Sequence, residues 1–216
     1  MPRSPKGPAV QTGDGQPGGE QPGGEQPADG RVAVLGAGVL GSAVCRKLVA
    51  AGLHTTVWDI SPSATAPPAG TGVTVAASPA EAADEAGVVI AMLPTAGAAE
   101  WVIFDGGVAA ALVPGAVLAQ MSTIGGAASA EIAGRLDRLR PDVLFVDAPV
   151  SGVDTLAATG PLLILAAGPL AAEPVVSPAF SAICRRTVWW TRPKPPVGGC
   201  ARTSDPDCRP RSAGAA

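Results

Sequence analysis

The sequence predicts an α/β fold in which helices cover both faces of a doubly wound parallel sheet. Short, fully apolar runs such as Val88–Leu93 alternate along the chain with stretches of helical spacing such as residues 39–51. Strands that are apolar on both faces are typical of parallel sheets, because helices must cover each side. Hydrophobic residues make up 47% of the 216 residues and charged residues 15%, so the chain can bury a sizeable core.

The spacing of apolar residues predicts the strands and helices in order along the chain. Strands are expected at Val32–Leu35, Thr55–Trp58, Val73–Val75, Val88–Leu93, Ala116–Gln120 and Val143–Val146, and helices at residues 39–51, 79–85, 97–112 and 127–139. Ser78 and Glu81 have the spacing of a capping box at the start of the second of these helices. We expect the larger aromatic side chains to lie in the core or between helices, namely Trp58, Trp101, Phe104 and Phe145.

Composition divides the chain into three parts. Residues 1–29 repeat the unit Gln-Pro-Gly-Gly-Glu at 16–20 and 21–25, which predicts a disordered, low-complexity arm. Residues 30–190 carry the alternating pattern and are predicted to form one domain. Residues 191–216 contain no Leu, Ile, Phe or Met and are rich in Pro and Arg. We expect an irregular tail there, because it cannot supply a core of its own.

Charge and cysteine usage exclude several classes of function. The net charge of −3 and a pI near 5.1 argue against a nucleic-acid or membrane-surface partner. No apolar segment has the length and continuity of a membrane span or signal sequence, which favours a cytoplasmic protein. The four cysteines share no CxxC spacing and His54 is the single histidine, so no metal site is expected. Cys45 falls inside the first helix and is predicted to be a core thiol.

A glycine-rich loop follows the first predicted strand. Gly36, Gly38 and Gly41 fit the pattern G-x-G-x-x-G, and the loop opens the first predicted helix. The first glycine permits the tight turn, the second lets a pyrophosphate approach the backbone, and the third lets helix and strand pack closely. The sequence therefore predicts a Rossmann dinucleotide-binding domain whose phosphate loop is Gly36, Ala37, Gly38, Val39, Leu40 and Gly41.

An acid stands where such a domain binds a ribose. Asp59 ends the second predicted strand, 23 residues beyond Gly36, and a carboxylate there accepts hydrogen bonds from the adenosine ribose. It would repel a 2′-phosphate, so NAD is favoured over NADP. Flavin and S-adenosylmethionine proteins use related loops and remain alternatives, as does a purely structural turn.

Polar residues follow the other strands at the same edge of the sheet, where ligands bind in open α/β folds. Ser122 and Thr123 follow the fifth strand, and Ser151 and Gly152 come shortly after the sixth. They suit a small polar substrate beside a nicotinamide, although Ser122 and Thr123 could also cap a helix. Asp147 is more typical of a structural acceptor. His54 belongs to the opposite edge.

These motifs resemble the β-hydroxyacid dehydrogenase family, which includes 3-hydroxyisobutyrate dehydrogenase and shares its N-terminal domain with 6-phosphogluconate dehydrogenase. The matching stretches are Val34–Gly41, Val88–Pro94, Met121–Ile124 and Phe145–Gly152. The resemblance implies hydride transfer between NAD(P) and a short 3-hydroxy acid or semialdehyde. It assigns cofactor contacts to Gly36, Gly38, Gly41, Leu93, Pro94 and Thr123, and substrate contacts to Ser122, Ser151 and Gly152.

The resemblance also implies an all-helical C-terminal domain that carries a catalytic lysine and builds a homo-oligomer. Residues typical of that domain are absent or disrupted here. The lysines are Lys6, Lys47 and Lys194, and none has the expected context, so no catalytic residue is identifiable. The abrupt change in composition suggests a loss of reading frame near Trp189. The alternatives are a non-catalytic NAD(P)-binding protein, a truncated inactive member and an imine-reductase-like relative.

Overall fold

The computed structural model describes residues 30–69, 72–151 and 162–190, so the expectations for the arm, for Gly152 and for the tail lie outside the described residues. The strands are β1 (Arg31–Leu35), β2 (His54–Trp58), β3 (Thr74–Val75), β4 (Val88–Ala91), β5 (Val117–Gln120), β6 (Leu144–Asp147), β7 (Val150–Ser151), β8 (Leu162–Ala167) and β9 (Cys184–Trp190). The helices are α1 (Val39–Ala50), α2 (Pro62–Ala69), α3 (Pro79–Ala83), α4 (Ala96–Glu100), a π-helix (Trp101–Asp105), α5 (Val108–Ala111), α6 (Gly126–Leu139) and α7 (Ala172–Ile183).

The first six strands form a parallel sheet in the order β3-β2-β1-β4-β5-β6. The chain winds outward from β1 in one direction and from β4 in the other, so the loops after these neighbouring strands diverge. Their divergence opens a crevice at the carboxyl edge of the sheet, which is where such folds bind ligands. The predicted Rossmann architecture is confirmed.

The sheet beyond β6 departs from a purely parallel arrangement. Strand β8 runs antiparallel to β6 and β7, and β9 then runs parallel to β8. The stretch between β6 and β8 holds β7 and no helix among its described residues. A parallel neighbour requires a long crossover connection. Helix α7 supplies such a crossover between β8 and β9, which explains their parallel pairing.

Two apolar cores cover the faces of the sheet. On one face α1 and α7 pack over it through Val44, Leu48 and Phe180. On the other, the π-helix and α6 contribute Ile103 and Leu136. Every residue of β4 and β5 is buried, as the apolar runs predicted.

The predicted core thiol lies where it was expected. Cys45 is fully buried in the first of the two cores. Burial raises the pKa of the Cys45 thiol to about 12, because a buried thiolate loses its hydration. This cysteine is therefore a packing residue with little thiolate character at neutral pH.

The predicted helix over residues 97–112 is broken into three pieces. Its middle is the π-helix, in which the Gly106 amide donates to the Trp101 carbonyl at 2.7 Å, an i→i+5 bond. The wider turn directs Val102 and Ile103 into the core and leaves Trp101 47% exposed. The expectation that Trp101 is a core residue is wrong. Trp58 is buried, and Phe104 and Phe145 are partly buried against the core, as predicted.

Two local devices fix helix ends near the second core. The Ser78 hydroxyl accepts a hydrogen bond from the Glu81 amide at 3.1 Å, which confirms the predicted cap of α3. Beyond α6, the Arg140 guanidinium donates to the carbonyls of Ala109 and Leu112, each at 2.7 Å. These carbonyls end α5, so Arg140 joins the two helix ends. It also pairs with Asp142, and this hydrogen bond lowers the pKa of the Asp142 carboxyl.

Candidate functional site

A cavity of about 660 Å³ lies at the carboxyl edge of the sheet, between the ends of β1, β2, β4 and β5. It gathers most of the residues that the sequence predicted for the site. The predicted residues that line it are Gly36, Gly38, Val39, Leu40, Gly41, Asp59, Leu93, Pro94, Ser122 and Thr123. Eight further lining residues were not predicted for the site, namely Trp58, Ile60, Met92, Ala98, Trp101, Val102, Met121 and Val150.

The three glycines of the loop serve different needs. Gly36 has φ +104°, and a Cβ there would lie 2.3 Å from the Met92 carbonyl oxygen. A Cβ on Gly41 would lie 1.8 Å from the Gly36 carbonyl oxygen. Gly38 has open space where a Cβ would stand. The fold therefore requires the first and third glycines, whereas the second leaves room at the cavity wall for a ligand.

The amino end of helix α1 faces this loop. Gly38 is its N-cap and offers no side-chain acceptor, and no acidic residue stands in the first turn. The first amides of the helix therefore lack a side-chain cap, and the helix dipole adds partial positive charge at the same point. This arrangement suits the oxygens of a phosphate or diphosphate.

The Asp59 carboxylate is tied to this loop. Its Oδ2 accepts a hydrogen bond from the Ala37 amide at 2.7 Å, and its Oδ1 accepts one from the Ser61 amide at 2.8 Å. A carboxylate offers about four acceptor sites, so capacity remains for two hydroxyl groups. Asp59 is the one ionisable side chain among the described residues that line the cavity.

Two large apolar side chains line the same cavity as Asp59. Ile60 is 78% exposed, and Trp101 is the first residue of the π-helix. Both line the cavity that contains Asp59. Exposed side chains of this size at a cavity wall are suited to contact a flat apolar group.

At the other end of the cavity, side chains and backbone tie β4 to β5. The Ser122 hydroxyl accepts a hydrogen bond from the Leu93 amide at 2.6 Å and donates to the Ala91 carbonyl at 3.4 Å. Gln120, the last residue of β5, is fully buried beneath this contact. One acceptor position of the Ser122 hydroxyl stays available to a ligand.

Other predicted residues lie elsewhere. Ser151 is exposed on β7 and does not line the cavity, whereas its neighbour Val150 does. The Lys47 amine donates to the Ile183 carbonyl at 3.3 Å, between α1 and α7 and away from the cavity. His54 begins β2 at the opposite edge of the sheet. Asp147 is buried at the end of β6.

Two other kinds of site are absent from the described segments. No group of three His, Cys, Asp or Glu side chains there could hold a metal ion. No helix in those segments combines the length and apolar character needed to cross a bilayer.

The parallel sheet, its glycine loop and the acid across from it define a dinucleotide-binding domain. Residues 31–191 match the sequence profile of the NAD binding domain of 6-phosphogluconate dehydrogenase, and the chain belongs to that family. The resemblance to β-hydroxyacid dehydrogenases is confirmed by the following similarities.

L-threonate dehydrogenase of Cupriavidus necator is 31% identical over 141 residues, covering 65% of this chain and 47% of that protein. Glyoxylate/succinic semialdehyde reductase 1 of Arabidopsis thaliana is 35% identical over 152 residues, covering 68% of this chain and 50% of that protein. The crystal structure of 3-hydroxyisobutyrate dehydrogenase from Salmonella typhimurium superposes with a TM-score of 0.68 at 32% identity, covering 76% of this chain and 57% of that one. The chain thus spans about half the length of the curated relatives that it matches.

Proposed function

We propose that this chain binds a nicotinamide dinucleotide in the crevice, and that it is the cofactor domain of an oxidoreductase acting on a short 3-hydroxy acid or semialdehyde. The observation that carries the proposal is the joining of the glycine loop to Asp59 through the Ala37 amide. A diphosphate site and a ribose acceptor are thereby fixed side by side.

The proposed cofactor lies along the whole cavity. Its diphosphate contacts the amides from Gly36 to Gly41, and the hydroxyls of its adenosine ribose donate to Asp59. The adenine then lies against Ile60 and Trp101, because these are large, exposed apolar side chains that line the cavity together with Asp59. The nicotinamide extends toward Leu93, Pro94 and Thr123 at the ends of β4 and β5.

NAD is the preferred form in this proposal. A 2′-phosphate would stand against the Asp59 carboxylate, and like charges at short distance repel. None of the described residues that line the cavity is Lys or Arg, so no cation there compensates the added charge. Calorimetric titration with NAD+ and NADP+ tests this preference directly.

The substrate class is drawn from the relatives named above. L-threonate, succinic semialdehyde and 3-hydroxyisobutyrate are short polar acids or aldehydes. Ser122, which lines the cavity, is a proposed contact, and the family resemblance adds Ser151 and Gly152. Oxidation of a hydroxyl needs a group that takes its proton. We assign that group to no residue of this chain, because Asp59 is the one ionisable residue described in the cavity and it is proposed to hold the ribose.

The lack of a second ionisable side chain among the described residues that line the cavity favours a second candidate function. In it, the protein binds the cofactor without catalysing its reduction. One experiment separates the two. The purified chain is titrated with NAD+ and NADP+, and reduction of the cofactor is followed by absorbance with 3-hydroxyisobutyrate and L-threonate. Binding with turnover supports the enzyme, binding without turnover supports the second candidate, and no binding contradicts both.

A further inference from the structure

Gln120 is a fully buried polar residue at the end of a central strand. It stands between Ala91 of β4 and Asp147 of β6 in the register of the sheet. A primary amide at such a place is costly to bury unless both its donor and its acceptor are used.

Both ends of the Gln120 amide are used on one residue. Its Oε1 accepts a hydrogen bond from the Ser122 amide at 2.8 Å, and its Nε2 donates to the Ser122 carbonyl at 2.7 Å. The side chain therefore makes the two hydrogen bonds to the Ser122 backbone that a neighbouring strand would otherwise make. This fixes the direction in which the chain leaves β5.

Ser122 passes this constraint to the adjacent strand. Its hydroxyl accepts from the Leu93 amide at 2.6 Å and donates to the Ala91 carbonyl at 3.4 Å. The segments after β4 and after β5 are thus joined at the second residue beyond each strand. Leu93 and Pro94 belong to one segment and Thr123 to the other, and all three line the cavity.

We propose that Gln120 is a positioning residue for the nicotinamide half of the cofactor, acting through Ser122 on Leu93 and Thr123. The inference rests on the proposed function, because it takes these segments to hold that half. Gln120 does not line the cavity itself. The glycine loop and Asp59, which hold the adenosine half, make no hydrogen bond to Gln120 or Ser122 among the described residues.

The two halves of the cofactor allow a sharp test. Methionine has nearly the volume of glutamine and no amide, so Gln120→Met removes both hydrogen bonds and keeps the packing. Ser122→Ala leaves the Gln120 amide in place and removes the link to Leu93. Ser129→Ala is the matched control, since the Ser129 hydroxyl is buried in α6 and has no hydrogen-bond partner in the described part of the chain.

Each protein is titrated by calorimetry with NAD+ and with ADP-ribose, which lacks the nicotinamide. We expect Gln120→Met and Ser122→Ala to weaken NAD+ binding on the order of 10-fold, since a lost buried hydrogen bond has about that effect. ADP-ribose affinity should stay within about 2-fold of the wild type, and Ser129→Ala should change neither ligand. If Gln120→Met does not fold, Gln120→Leu, which is also apolar and slightly smaller, removes the same two hydrogen bonds and makes the comparison.

Two results would overturn the inference. Equal losses for NAD+ and ADP-ribose would mean that Gln120 supports the domain as a whole, and unchanged NAD+ binding would mean that it positions nothing. A wild-type protein that binds neither ligand would instead overturn the proposed function, and the inference with it.

Discussion

Oδ2 of Asp59 accepts a hydrogen bond from the amide of Ala37 at 2.7 Å, so the end of β2 is fastened to the loop that follows β1. The two residues are 22 positions apart in sequence and follow neighbouring strands. The carboxylate is consequently oriented before any ligand arrives. Pre-orientation of this kind lowers the entropy cost of binding, because the side chain is already in place.

Replacement of Asp59 should change the choice of cofactor. Asp59→Asn keeps an oxygen for the Ala37 amide but removes the negative charge. We expect NAD+ affinity to fall about 10-fold, the effect of losing a charged acceptor, while NADP+ binds no worse than before. Calorimetry with both cofactors measures the ratio. Asp105→Asn, an exposed site outside the cavity, is the control, and an unchanged ratio in Asp59→Asn would contradict the assignment.

Two glycine substitutions should separate stability from binding. Gly41→Ala forces a Cβ against the Gly36 carbonyl and should destabilise the domain by about 1–3 kcal/mol or more, as overpacking does. Gly38→Ala meets open space, so its unfolding midpoint should match the wild type, yet it should weaken NAD+ binding because its methyl group occupies the diphosphate's approach.

Thermal unfolding and calorimetry together check this pair. Gly97→Ala also meets open space and does not line the cavity, so it should leave NAD+ binding unchanged, while alanine in helix α4 should raise stability by about 0.5–1 kcal/mol. Wild-type affinity in Gly38→Ala would place the diphosphate elsewhere.

Trp101 should report on adenine binding. Stacking of a base on an aromatic ring contributes about 1–3 kcal/mol, so Trp101→Ala should weaken ADP-ribose binding by roughly 5- to 150-fold. Trp101→Phe retains a ring and should lose much less. Nicotinamide mononucleotide has no adenine, and its affinity should be the same in all three proteins. Equal ADP-ribose affinity in Trp101→Ala and the wild type would rule out the stack.

Arg140 should contribute to stability and not to binding. Arg140→Met removes the donors to the Ala109 and Leu112 carbonyls and should lower the free energy of unfolding by about 1–3 kcal/mol. Arg138→Met changes an exposed arginine in the last turn of α6 and should stay within about 0.5 kcal/mol of the wild type. Denaturant unfolding measures both. A wild-type value for Arg140→Met would show that water replaces these bonds without loss.

The ion pair between Arg140 and Asp142 should make the free energy of unfolding depend on pH. The hydrogen bond from Arg140 lowers the pKa of Asp142 in the folded state. Its stabilising effect is therefore present at neutral pH and is lost as the pH falls through that lowered pKa. The free energies of unfolding of the wild type and of Asp142→Asn should therefore converge as the pH is lowered. A difference between them that stays constant at every pH would contradict this.

The parts of the fold that follow from local pattern were predictable from the sequence. The apolar runs of β1 and β4 and the glycines at 36 and 41 need no partner to be recognised, because burial and close approach restrict the residue types. The π-helix could not be predicted, since it depends on how Val102 and Ile103 fit the core. The same holds for the direction of β8, since its apolar residues suit a parallel and an antiparallel neighbour alike.

The site was predictable in its residues and not in its contacts. Asp59 was found from its spacing to Gly36, but its bond to Ala37 depends on the register of β1 and β2. The sequence predicts Gln120 only as the last residue of a strand. It does not reveal that the side-chain amide forms hydrogen bonds with the Ser122 backbone. A buried amide at the end of an apolar strand, beside a serine, is the signal that could have drawn attention to it.

Because Cys45 of helix α1 is buried, its reaction with a thiol reagent reports how often this helix opens. A thiol reagent can reach it only when the helix lifts from the sheet, and the loop that begins this helix then loses its shape as well. The labelling rate at Cys45, separated by peptide mapping from the other three cysteines, thus measures how often the phosphate loop opens. A molecule that binds in the crevice should therefore lower the labelling rate at Cys45.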